Sequence, residues 1–127
     1  MREFKTYFNV KATPEQVYNA LTNPRIIELW SNSKVEFELE KGSEFSIYDG
    51  DIVGKIIDFI PNKLLVQEWY FDNPEGKESI VTIKLHGDRK STSIEIKQTN
   101  IPDEAYENIS NGWIEGILIP IQEIIED

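Results

Sequence analysis

No cysteine occurs in the 127 residues, which excludes a disulfide framework, a thiolate metal site and a cysteine nucleophile, and suits a reducing compartment. Histidine occurs once, as His86, so a zinc site would lack its usual ligands, and no twelve-residue calcium loop with a closing glutamate is found. Long apolar runs are missing too. A membrane-spanning helix needs roughly 20 consecutive apolar residues. The chain instead opens Met1-Arg2-Glu3-Phe4-Lys5, straight into alternation and without the apolar stretch of a signal peptide. A cytoplasmic chain is the expectation. Positive charge is scarce, 13 Lys+Arg against 23 Asp+Glu, for a net charge of −10. That excess repels phosphate backbones and anionic lipid surfaces, which argues against nucleic-acid and membrane partners, and solubility alone accounts for it.

What is present is strand-like alternation framed by helix signals. Phe4, Thr6, Phe8, Val10 and Ala12 alternate with Glu3, Lys5, Tyr7, Asn9 and Lys11, the two-residue period of a strand with one buried face. Thr13-Pro14-Glu15-Gln16 supplies an N-cap hydroxyl, a proline at the first helical position and a glutamine three residues after the cap, so a helix starts there. It ends at Asn23, because the residue before Pro24 is pushed out of helical geometry. Pro24 opens a second short helix over 25–30, with Ile26, Leu29 and Trp30 available for burial. The period returns to two at Val35, Phe37 and Leu39, and strands are predicted over 35–39, 44–48, 51–60, 64–71, 78–85 and 91–99. The connections are short: Lys41-Gly42, Asp49-Gly50, Pro61-Asn62, Asp72 to Gly76, and a turn around Gly87-Asp88. Such links join antiparallel neighbours. With the first strand this predicts seven.

After Pro102, Asp103 and Glu104 put negative charge where a helix dipole favours it, and a helical apolar pattern runs over 105–125. Tyr106, Ile109, Trp113, Ile117, Ile121 and Ile124 form its stripe, while Ile114, Leu118 and Ile125 widen it until the last turns are apolar most of the way round. Pro120 lacks the amide that would bond Gly116 and crowds that carbonyl, predicting a kink near Gly116. Gly112 and Gly116, one turn apart, would let another group approach the backbone closely. No repeat or linker divides residues 1–127, so one α+β domain is expected.

Strand, two short helices, six strands and a long helix is the order of the START-like (SRPBCC) superfamily, the helix-grip or Bet v-like fold. Three stretches sharpen the likeness. They are Val10-Lys11-Ala12-Thr13-Pro14-Glu15-Gln16-Val17-Tyr18 with Trp30 ending the second helix; Ile52-Val53-Gly54-Lys55-Ile56-Ile57-Asp58-Phe59-Ile60-Pro61 followed by Glu68-Trp69; and Ser93-Ile94-Glu95-Ile96-Lys97-Gln98-Thr99-Asn100-Ile101-Pro102, then Asn111-Gly112-Trp113. Together they resemble one branch, the activator of heat-shock protein 90 ATPase homologue family. The resemblance covers essentially the whole chain. It implies a domain whose sheet and long helix enclose an elongated cavity, used by relatives for lipids, sterols, polyketides or hormones. The eukaryotic co-chaperones of this branch carry an additional N-terminal domain that makes much of the chaperone contact, and these residues leave no room for one, so chaperone activation ranks second.

The first expectation is therefore a non-enzymatic domain that binds a small apolar or amphipathic ligand. Its cavity would be lined by Trp30, Phe45, Ile47, Ile56, Trp69, Ile83, Trp113 and Ile117, an apolar surface with few polar groups. Asp58 and Glu68 join the candidates because each lies in an otherwise apolar strand; facing inward, either would have a raised pKa and could orient a ligand's polar end. Facing outward, they are ordinary alternation. The alternative is a co-chaperone-like module for a heat-shock protein 90 type ATPase, and the third reading a cyclase or hydrolase using Asp58, Glu68 or Tyr70. The catalytic inventory is thin: His86 falls at a strand end beside Gly87, and no Gly-x-Ser-x-Gly elbow is present. No metal or cofactor is expected. The isoleucine-rich helix end offers a route to a homodimer.

Overall fold

A computed structural model describes residues 1–72 and 76–126, so Asn73, Pro74 and Glu75 of the loop expected at Asp72 to Gly76 lie outside the described residues. Strand β1 (Arg2–Val10) leads into helices α1 (Pro14–Thr22) and α2 (Pro24–Ser31), then β2 (Glu44–Ile47), β3 (Ile52–Ile60), β4 (Leu64–Trp69), β5 (Ser79–Gly87) and β6 (Thr92–Ile101). A 3-10 turn at Asp103–Ala105 precedes the C-terminal helix, made of α3 (Tyr106–Gly112), a π turn (Trp113–Leu118) and α4 (Ile119–Ile125). The first helix starts as its capping box requires: Thr13 Oγ1 accepts from the Gln16 amide at 3.2 Å and Gln16 Oε1 from the Thr13 amide at 2.9 Å. Asn23 then caps α2 through the Arg25 amide at 3.0 Å.

The strands form one antiparallel sheet in the order β1-β6-β5-β4-β3-β2. The described sheet has six strands, not the seven expected. The segment around Val35, Phe37 and Leu39 keeps its alternation, with Phe37 buried and 5.8 Å from the Phe45 ring, but it meets β2 through a single bridge, Glu36 to Ser46. Beyond that bridge the chain turns on itself. The Glu40 amide bonds Glu38 and the Ser43 amide bonds Glu40, while Gly42 and Ser43 exchange bonds with Ile56 of β3. Period-two burial records which side faces the core; a ladder also needs repeated backbone bonds, and this segment exchanges them with edge strand β2 only at Glu36 and Ser46 before it turns away.

Two irregularities set what faces inward. In β3 the register shifts between Ile56 and Asp58, leaving Ile57 as the extra residue of a bulge. Gly54 and Ile56 point into the core before it and Phe59 packs there after it, so the bulge reverses the phase. Gly54 is the tightest position: a Cβ there would stand 1.9 Å from the Glu68 carbonyl oxygen and 3.0 Å from the Phe45 ring. The inner face of the sheet carries Phe45, Ile47, Ile56, Leu65, Ile83, Ile94 and Ile96, all buried in one cluster with Trp30, Val17 and Leu21 of the short helices and Trp113, Ile117 and Ile121 of the C-terminal helix.

Gly54→Ala should therefore lower stability by about 3 kcal/mol, at the upper end of overpacking costs because the obstruction is backbone. Urea unfolding followed by circular dichroism measures it, and a loss below about 1 kcal/mol would contradict the close approach.

Candidate functional site

The C-terminal helix is fastened to the sheet by two tryptophans. Trp69 ends β4 on the inward phase set by Leu65 and Gln67, and Trp113 begins the π turn. Their rings stack at 4.9 Å between centroids with 18° between planes. Each indole N–H is satisfied inside the protein: Trp69 Nε1 donates to Gln67 Oε1 at 2.9 Å and Trp113 Nε1 to Gln98 Oε1 at 2.8 Å. Gln98 Nε2 donates in turn to Ser79 Oγ at 3.0 Å, and Ser79 to the Thr99 carbonyl at 2.8 Å. Buried amides are tolerated in an apolar interior when their groups are paired this way. Trp30 belongs to a separate corner, donating to the Ala20 carbonyl at 2.7 Å with its ring 6.4 Å from Tyr48.

Pro120 shapes the helix above this pair. In place of α-type spacing, the Ile119 amide bonds the carbonyl of Ile114, five residues back. The disturbance expected at Gly116 thus takes the form of a π turn. The Gly116 carbonyl, deprived of the Pro120 donor, accepts instead from the Tyr48 hydroxyl, reaching across from the β2–β3 turn. Burial pushes the Tyr48 phenol above its ordinary pKa, so the hydroxyl keeps its proton. The turn is built for this reach. Asp49 and Gly50 are its central residues with φ of 53° and 92°, the Asp51 amide closes it onto the Tyr48 carbonyl at 3.0 Å, and Tyr48 itself sits at φ 56°. Asp-Gly suits positive φ, whereas tyrosine pays strain there, of order 1 kcal/mol or more.

Between this turn and the helix lies a cleft of about 390 Å³. Tyr48, Asp51 and Ile52 form one wall, the helix supplies Asn108, Ile109, Gly112, Trp113, Gly116 and Ile117, and Trp69 closes the bottom. A Cβ placed on Gly112 or Gly116 would meet nothing within 4 Å. Neither glycine is required by packing within the chain, although each weakens a helix interior by about 0.5–1 kcal/mol relative to alanine. Their absent side chains leave the cleft its width.

Of the residues singled out from sequence, Trp69, Trp113 and Ile117 meet at this cleft. Phe45, Ile47, Ile56 and Ile83 are buried on the sheet's inner face and Trp30 among the short helices. Asp58, turned outward by the bulge, has a side chain 49% exposed and 3.2 Å from Lys41 Nζ. Its carboxyl is held below the usual range first by that hydrogen bond and then by the Phe59 amide. Glu68 faces Lys55 across the β3–β4 ladder at 3.7 Å, its side chain 14% exposed. Tyr70 is exposed and donates to Glu44 at 2.9 Å, and His86 is exposed, 2.7 Å from Glu95. At the helix end Ile121 is buried and Ile124 exposed. Sequence reasoning missed Tyr48 and the glutamines Gln67 and Gln98. The signal for Tyr48 was Pro120, whose missing amide leaves an acceptor for some other donor to find.

Two tyrosine hydroxyls should behave oppositely. Tyr48→Phe strips the Gly116 carbonyl of its donor and should cost about 1–2 kcal/mol. Tyr18→Phe, removing a buried hydroxyl with no partner among the described residues, should be neutral or stabilising by up to about 1 kcal/mol. Urea midpoints of the two variants decide; a Tyr18 loss larger than the Tyr48 loss would refute the assignment.

Comparison with known proteins places this architecture. The family model described as "Activator of Hsp90 ATPase homolog 1-like protein" matches residues 11–119. An activator of 90 kDa heat shock protein ATPase homolog from Dictyostelium discoideum is 36% identical over 110 residues, 85% of this chain and 29% of that protein. A human activator of 90 kDa heat shock protein ATPase homolog 1 is 26% identical over 102 residues, 80% of this chain and 30% of that one. The chain thus spans about 30% of the length of the curated relatives it matches. The crystal structure of an HSP90 activator from Plasmodium falciparum superposes with a TM-score of 0.89 at 26% identity, covering 98% of this chain and 96% of that one. With the helix-grip architecture and a family match over residues 11–119 in hand, the chain belongs to the activator of Hsp90 ATPase homologue family.

Proposed function

We propose that this chain is a non-enzymatic protein-binding module that acts on a heat-shock protein 90 type ATPase. The observation that carries the reading is the Plasmodium falciparum protein: a chain of matching extent, with the same fold, is described as an HSP90 activator. The longer curated relatives support it through the portion they share with this chain, about 30% of their length. A module that raises another protein's turnover needs no catalytic groups of its own. It must bind the competent conformation more tightly than the resting one, and a tenfold difference corresponds to about 1.4 kcal/mol. A charge of −10 would steer it toward a basic face of the partner, with an association rate that falls as salt rises.

A second reading is favoured by one observation, the cleft of about 390 Å³ held open by Gly112 and Gly116. Clefts of roughly 300–1,000 Å³ with an apolar base and a few polar groups are the usual form of small-molecule sites. This reading keeps an amphipathic ligand for the domain, at the turn–helix cleft. It is compatible with the first, since a ligand there would stiffen the face that the turn and helix present.

Titration of the purified chain into the heat-shock protein 90 of its own source tests the first reading. A saturable rise in ATP turnover, with binding weakened by salt, is expected; neither complex nor rate change would overturn it.

A further inference from the structure

The polar groups of the cleft are one-sided. Among its ten lining residues a single side chain is charged at neutral pH, Asp51. The donors around it are spent: the Tyr48 hydroxyl on the Gly116 carbonyl, the Trp69 indole on Gln67 and the Trp113 indole on Gln98. Asp51 uses its amide to close the turn, but its carboxylate has no partner among the described residues. Asn108, on the opposite wall, also has a side chain with no protein partner among those residues, and both it and Asp51 are exposed at the mouth of the cleft. Below them lie Ile52, Ile109, Ile117 and the tryptophan pair.

We infer that the cleft binds a small organic cation, an ammonium or guanidinium group on a short apolar stem, with its head against Asp51 and Asn108 and its stem along Ile109, Ile117 and Trp69. This deepens the second reading above and rests on it, independently of any chaperone. The physical case is complementarity of charge and of apolar surface. An apolar stem gains from leaving water wherever it meets apolar walls, whatever its head. The head decides sign: a carboxylate would meet Asp51 with no cationic side chain among the lining residues to offset the repulsion, whereas an ammonium replaces water on that carboxylate and amide with charge-assisted hydrogen bonds. Gly112 and Gly116 matter because a stem can lie against helix backbone only where no Cβ intervenes. Asp49, exposed in the same turn, and Glu115, exposed on the helix, add to the negative field of the chain without lining the cleft.

Hexylammonium, hexanol and hexanoate share one stem and differ in head charge. Each is titrated into the full chain at low salt while amide chemical shifts of the cleft residues are followed by NMR. Hexylammonium should shift the amides of Asp51, Asn108, Gly112 and Gly116 saturably, at least tenfold more tightly than hexanoate. Its affinity should fall at least threefold in Asp51→Asn and again at higher salt, and vanish in Gly112→Leu, which fills the cleft. Equal binding of hexanol or hexanoate, or an unchanged Asp51→Asn, would overturn the charge assignment while leaving the cleft a ligand site. If none of the three shifts those amides, the cleft reading falls and this inference with it.

Discussion

The contact on which the rest depends is the stacked pair of Trp69 and Trp113. It is the point at which the last residue of β4 meets the first residue of the π turn, and it joins the sheet to the helix across 4.9 Å of ring separation. Large rings in an apolar interior contribute mostly through the area they remove from water, and a stacked pair adds about 0.5–1.5 kcal/mol beyond that. The pair carries two indole donors that could not be left bare, which explains why glutamines occupy inward positions at Gln67 and Gln98. Those amides in turn fix the ring planes. Ser79 extends the bonds of Gln98 to the next strand, so the helix, β6 and β5 share one polar thread through an otherwise apolar core.

A second constraint follows from one residue. Pro120 removes a backbone donor four positions beyond Gly116, and the helix responds by widening into a π turn while Tyr48 reaches over to serve the orphaned carbonyl. The β2–β3 turn is thereby tied to the helix, at the cost of a tyrosine in the left-handed region. Between tie and stack the chain leaves a space with two side-chain-free positions on the helix. Pro120 accounts for the π turn and the reach of Tyr48, whereas packing within the chain does not account for the two glycines, and the proposed cleft rests on them.

Much of this was legible from residue patterns because local chemistry decides it. The capping box at Thr13, the proline start of α2, the Asp-Gly turn and the strand alternation each rest on interactions within a few residues, and each is found. The extra strand at Val35 to Leu39 was misread because alternation reports burial, whereas a strand needs a run of backbone bonds to its neighbour, and here β2 supplies them only at Ser46. The outward face of Asp58 was hidden for a related reason: the bulge at Ile57 reverses the phase, and no glycine or proline stands at the bulge itself to mark it. The roles of Tyr48, Gln67 and Gln98 are set by partners two or more residues of sequence away and by the packing of the helix, so pattern could only pose the question that Pro120 raises.

The functional account needs the helix to be held in one pose, since both a partner-binding face and a cleft depend on where its residues stand relative to the β2–β3 turn. A double-mutant cycle on the stacked pair measures that hold most directly: Trp69→Leu, Trp113→Leu and the double variant, each unfolded in urea. Coupling of about 0.5–1.5 kcal/mol between the two positions is predicted. Effects that add to within about 0.3 kcal/mol would contradict the stack as the fastening of helix to sheet.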